Sequence, residues 1–105
     1  MPKRTKEYDP QIAKRLKEPN YALNYLLSLQ HNHDMAFKPA LAFLIDQVGH
    51  AELSRMTGLH PGNVTRTVKK LRENSKNIKI ETLEVILNAF GLELGFQPSL
   101  KQGAS

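Results

Sequence analysis

Apolar residues recur at helical spacing through most of the chain, with polar residues filling the positions between them. The clearest case is Phe37, Leu41, Leu44, Ile45 and Val48, which fall three and four residues apart and predict an amphipathic helix ended by Gly49. Upstream, Asp9-Pro10 gives an N-cap followed by proline at the first helical position, with Ile12 and Leu16 one turn apart and Pro19 as the stop. Asn20 is the expected cap of a second helix, whose Leu23, Leu26 and Leu27 form an apolar stripe that fades in the polar turn QHNHD. Asp34 is a candidate cap of the Phe37 helix, although Pro39 places the start of regular hydrogen bonding near Phe37. Downstream, AELSRMTG makes about two turns closed by Gly58. Pro61 to Leu71 form a helix with Val64, Val68 and Leu71 on one side, and ENSKN is a loop. Glu81 to Phe90 bury Leu83, Ile86, Leu87 and Phe90, with Gly91 as the stop. The period then changes to two, and Leu92, Leu94 and Phe96 share one face of an expected strand that Pro98 ends.

This pattern predicts an all-α fold with a short C-terminal β-strand. Residues 1–8 are expected to be disordered, 9–33 to form an N-terminal helical segment, 34–98 a compact domain with the terminal strand, and 99–105 a flexible tail.

Two short helices meeting at a sharp corner need a residue without Cβ for the left-handed turn. They also need a small residue where the helices approach, and a branched apolar residue to fill the gap. Gly58, Ser54 and Val64 supply these, and Leu53, Leu59 and Val68 point toward the Phe37–Val48 helix. That is a helix-turn-helix signature. Thr67 stands where such corners often carry a larger apolar side chain.

Charge sharpens this picture. Fifteen Lys and Arg oppose ten Asp and Glu, a balance that favours an anionic partner, nucleic acid first. Lys3, Arg4 and Lys6 sit in the N-terminal tail, but Arg66, Lys69, Lys70, Arg72, Lys76 and Lys79 lie within one short stretch. If the second helix of the corner lies in a DNA major groove, its outward positions are Gly62, Asn63, Arg66 and Lys69. Asn63 is suited to adenine and Arg66 to guanine O6 and N7, while Gly62 permits close approach. Thr65 and Lys70 flank this face and suit phosphates. The plainer reading is a solvated surface helix of an all-α domain.

The segments LKEPNYALNYLLSL, AFKPALAFLIDQVGHAELSRMTGL, NVTRTVKKL and NIKIETLEVILNAFGLEL, in that order, resemble the probable addiction-module antidote family. That is the HigA-like branch of the Cro/CI-type (Xre) helix-turn-helix proteins, and the likeness spans Leu16 to Leu94. Lys76-Asn77-Ile78 departs from the Gly-Asn-Pro common there, and Lys79 replaces a better N-cap. The resemblance implies a compact, lambda-repressor-like helix-turn-helix fold, and an antitoxin of a type II toxin–antitoxin pair that neutralises a RelE/HigB-like ribonuclease toxin and represses its own operon. By position, Asn63, Arg66 and Lys69 match the DNA-facing sites, and His50 matches a polar position that meets a phosphate. For the toxin, the expected surface is Tyr8 to Leu29 with Tyr8, Tyr21 and Tyr25 exposed, or else these aromatics cover the core.

Other chemistry is thin. His31-Asn32-His33-Asp34 lacks the ligand number and spacing of a structural zinc site, so no metal or cofactor is expected. There is no phosphate loop, no GxSxG and no orienting group for Ser54 and His50, so no enzyme is expected. Cysteine is absent and no apolar run reaches membrane-spanning length, which points to the cytoplasm and to no membrane partner. Leu92, Leu94 and Phe96 either cap the core or pair across a two-fold axis; a homodimer would set two recognition helices about one DNA turn apart on a palindromic operator. Two further readings stay open: a stand-alone Cro/CI-type regulator, and a protein-interaction module without DNA binding.

Overall fold

In the computed structural model, residues 10–95 are described, and they form six helices and no strand. These are α1 (Pro10–Arg15), α2 (Pro19–Asn32), α3 (Phe37–Val48), α4 (His50–Thr57), α5 (Pro61–Arg72) and α6 (Ile80–Ala89). No helix among the described residues is long and apolar enough to cross a membrane.

α3 is the hub because it is apolar around most of its circumference: Ala40, Leu41, Ala42, Leu44, Ile45 and Val48 are all buried. A helix of that kind must be covered on several sides. α1, α2, α4 and α5 pack against it, and α4 in turn packs against α5 and α6. The core fills with Leu16 from the α1–α2 turn, Leu53 of α4, Val64, Val68 and Leu71 of α5, and Ile86 of α6. Phe90, just past α6, is fully buried as well. Each such side chain contributes about 1.5–3 kcal/mol by leaving water.

Helices α3 to α6 fall where the apolar spacing puts them, but several local expectations are corrected. Pro19 does not merely stop α1. It is the first residue of α2, behind an N-cap at Glu18 rather than Asn20, because a proline at N1 gives up no hydrogen bond. The buried face of α2 is Ala22, Leu26 and Leu29, while Leu23 and Leu27 remain 42% and 39% exposed. That face turns to the core, which leaves the leucine pair outward. The helix also runs through His31 to Asn32, so the expected turn begins later. Asp34 does not cap α3; it takes a positive φ of 54° between the helices, and Ala36 is the N-cap.

The expected strand is absent over the described part of Leu92 to Gln97, since residues 92–95 are irregular. The chain turns at Gly91 (φ 77°), and the Leu92 amide donates back to the Leu87 carbonyl at 2.8 Å, a Schellman closure of α6. Leu92 packs against the core rather than along a ladder, and Leu94 is exposed. A lone segment has no second strand with which to exchange hydrogen bonds. Phe96, Tyr8, the expected Asp9 cap, and the segments 1–8 and 99–105, for which disorder and flexibility were the expectations, lie outside the described residues.

Candidate nucleic-acid interface

The α4–α5 corner is built from short-range hydrogen bonds. Gly58 takes φ 81° and ψ 2°, which ends α4, and its amide donates to the Ser54 carbonyl at 2.8 Å. The Ser54 hydroxyl donates to the Leu59 carbonyl, and Thr57 Oγ1 accepts the Leu59 amide at 3.1 Å while donating to the Leu53 carbonyl at 2.8 Å. The turn is therefore tied to the last turn of α4 from two side chains. His60 then caps α5, its Nδ1 accepting the Gly62 amide at 3.1 Å, with Pro61 at N1. Thr67 is half-buried and, with Lys70, Asn77, Ile78, Lys79 and Thr82, lines a shallow polar cavity of about 290 Å³ beside α6.

Burying Val64, Val68 and Leu71 against α3 fixes the rotation of α5 and turns Asn63, Thr65, Arg66, Lys69 and Lys70 out to solvent. Gly62 is half-buried beside them. The Arg66 guanidinium donates to Asn63 Oδ1 one turn earlier. Lys70 Nζ reaches the Asn77 carbonyl at 3.4 Å. No carboxylate among the described residues pairs with Arg66, Lys69 or Lys70. Arg72 differs, because its guanidinium grips both oxygens of Asp46 on α3, at 2.7 and 2.8 Å.

His50 opens α4 as expected, but its Nε2 lies 3.0 Å from Asp46 Oδ1, so it shares that carboxylate with Arg72. It stands apart from the cluster on α5. Sequence reasoning did not find the caps His60 and Asn74, the latter at φ 54° closing α5, nor the pairing of Asn63 with Arg66. The i, i+3 spacing of Asn63 and Arg66 was the available signal.

A second surface lies on α2 and α3. Tyr21 and Tyr25 are half-buried, and with Asn24, Ser28, Leu29, His33 and Phe43 they line an open groove of about 460 Å³. The Arg15 guanidinium sits over the Tyr21 ring, 5.7 Å from its centroid. Burial raises the pKa of the Tyr25 phenol, with Tyr21 and the Asp46 carboxylate adding to the shift. Phe43 is 42% exposed, so this groove continues onto an apolar rim. The two tyrosines thus both pack on the core and face solvent. Among the described residues no group of three or more His, Cys, Asp or Glu could hold a metal ion.

No family model matches the chain, and neither a curated protein nor a solved structure matches it.

Proposed function

We propose that the chain is a helix-turn-helix DNA-binding protein of lambda-repressor-like architecture, in which α5 enters the major groove. The observation that carries this reading is the face of Asn63, Thr65, Arg66, Lys69 and Lys70, turned outward by the burial of Val64, Val68 and Leu71 and, among the described residues, left without a carboxylate partner. Cations on a rigid helix next to a tied corner suit a phosphate-lined groove. Gly62 keeps the entry end of α5 slim. Thr65 and Lys70 flank the readout positions and suit phosphates. His50 has its Nε2 turned to Asp46, so its part in binding is secondary to that of α5.

The cellular role we propose is that of an antitoxin in a type II toxin–antitoxin pair, a repressor of its own operon that also neutralises a RelE/HigB-like toxin. This role rests on the resemblance of Leu16 to Leu94 to the antidote family. The Tyr21 and Tyr25 groove is the surface that supports it, since half-buried aromatics beside an apolar rim suit a protein interface. A two-fold dimer follows from reading a palindromic operator, with α5 helices about 34 Å apart. A stand-alone Cro/CI-type regulator would share the α5 face and lack the toxin.

The deciding experiment is co-expression with the adjacent gene, purification, and a gel shift on the shared promoter. Co-purification of a small basic ribonuclease together with a shifted band supports both roles. A shift with no bound partner leaves the stand-alone regulator. Capture of a partner without any shift leaves a protein-interaction module, and the DNA-binding reading fails.

A further inference from the structure

His60, Asn63 and Arg66 stand exposed at the N-terminal end of α5; His60 Nδ1 and Asn63 Oδ1 each already accept a hydrogen bond there, and Arg66 has no acceptor. His60 Nδ1 accepts the Gly62 amide at 3.1 Å, so that nitrogen carries no proton and the ring N–H lies on Nε2. Asn63 Oδ1 accepts from Arg66. Since a guanidinium only donates, the amide oxygen faces it and the Asn63 NH₂ group is turned away. The rest of α5, PGNVTRTVKKLR, contains no Asp, Glu or Gln, so beyond Asn63 only the hydroxyls of Thr65 and Thr67 can accept.

A major groove edge must complement this set. Cytosine N4 needs an acceptor such as a carboxylate, and adenine N6 needs the carbonyl of an Asn or Gln. Guanine presents N7 and O6, two acceptors side by side. We infer that Asn63 and Arg66 act as one donor-only unit that reads guanine, and that adenine is rejected at that position. The inference rests on the proposal that α5 enters the major groove, and it replaces the adenine contact that the residue type of Asn63 alone suggests.

Selection from a randomised duplex library, with the full chain and with Arg66→Ala, tests it. The native chain should enrich a guanine at one position in each half-site. Arg66→Ala releases the Asn63 carbonyl and should switch that position to adenine. In the native complex, 7-deazaguanine at that position, which lacks the N7 acceptor, should weaken binding about 5- to 150-fold, the span of one good bidentate contact. Adenine enriched by the native chain, or indifference to 7-deazaguanine, overturns the donor-only unit while leaving DNA binding intact. Guanine retained by Arg66→Ala overturns it as well. If the native chain enriches no duplex at all, the DNA-binding reading falls and the inference with it. Should Arg66→Ala fail to bind, the 7-deazaguanine arm on the native chain decides.

Discussion

Glu52 holds two cations on one carboxylate. Arg55, on the same face of α4, donates to both of its oxygens, and Lys17, beyond α1, lies 2.6 Å from Oε2. Hydrogen bonds from Arg55 first and Lys17 second lower the carboxyl to about 2. A depressed folded value means the contribution to stability is complete above the ordinary value of 4.5 and is lost as pH falls through about 2. The site is solvated, so salt should weaken the effect. Carboxyl carbon shifts followed by NMR should give Glu52 a midpoint near 2, and Lys17→Ala should raise it; a midpoint in the usual carboxylate range would remove the bridge between the α1–α2 turn and α4. Ser54 does a different job, covering the Leu59 carbonyl inside the corner. Ser54→Ala leaves that half-buried acceptor without its donor and should cost about 1 kcal/mol. In a domain of this size that lowers Tm by roughly 4–8 °C, read by calorimetry.

Two glycines separate backbone strain from steric conflict. Gly58 and Gly91 both take the left-handed conformation, at φ 81° and 77°. A Cβ on Gly58 would meet nothing within 4 Å, so Gly58→Ala should cost only the left-handed penalty, about 1–2 kcal/mol. A Cβ on Gly91 would come 2.6 Å from Pro19 Cγ, at the start of α2, so Gly91→Ala should be clearly the more destabilising in urea titration. Equal losses would mean that the α2–α6 approach does not persist in solution. Both glycines were legible as helix stops, as were α3 to α6, because their apolar spacing and their stops at Gly49, Gly58 and Gly91 agree. α2 was less so, since its sequence offers two apolar faces and only the position of α3 decides between Leu23/Leu27 and Ala22/Leu26/Leu29. The terminal strand was misread for a related reason. Alternation at Leu92 and Leu94 meets the pattern of a strand, but that segment closes α6 against the core instead. At the candidate site the outward residues of α5 followed from helical period. Their mutual pairing did not, because choosing a rotamer for Arg66 over solvent requires coordinates.

For the molecule as a whole, a net charge of +5 matters less than where charge is left unanswered. Arg72 is spent on Asp46, Lys17 and Arg55 on Glu52, and Lys38 on the Ser75 carbonyl at 2.8 Å. Lys69 and Lys70 on α5, with exposed Lys76 and Lys79 in the loop toward α6, have no carboxylate partner among the described residues. α5 and the loop that follows it thus hold these four lysines close together, and the proposed duplex would meet them there. Counterion release then separates reading from holding. Lys69→Ala should weaken binding to every duplex alike and flatten the slope of log affinity against log salt by about 0.9 for the one phosphate lost. Arg72→Ala should leave that slope nearly unchanged, because its charge is already answered by Asp46, and should instead lower stability by loosening α5 from α3. Salt titrations of both variants against a single promoter fragment make the comparison. If Arg72→Ala flattens the slope and Lys69→Ala does not, the duplex lies against the Asp46 side of the bundle, and the groove-facing role assigned to the outer face of α5 is wrong.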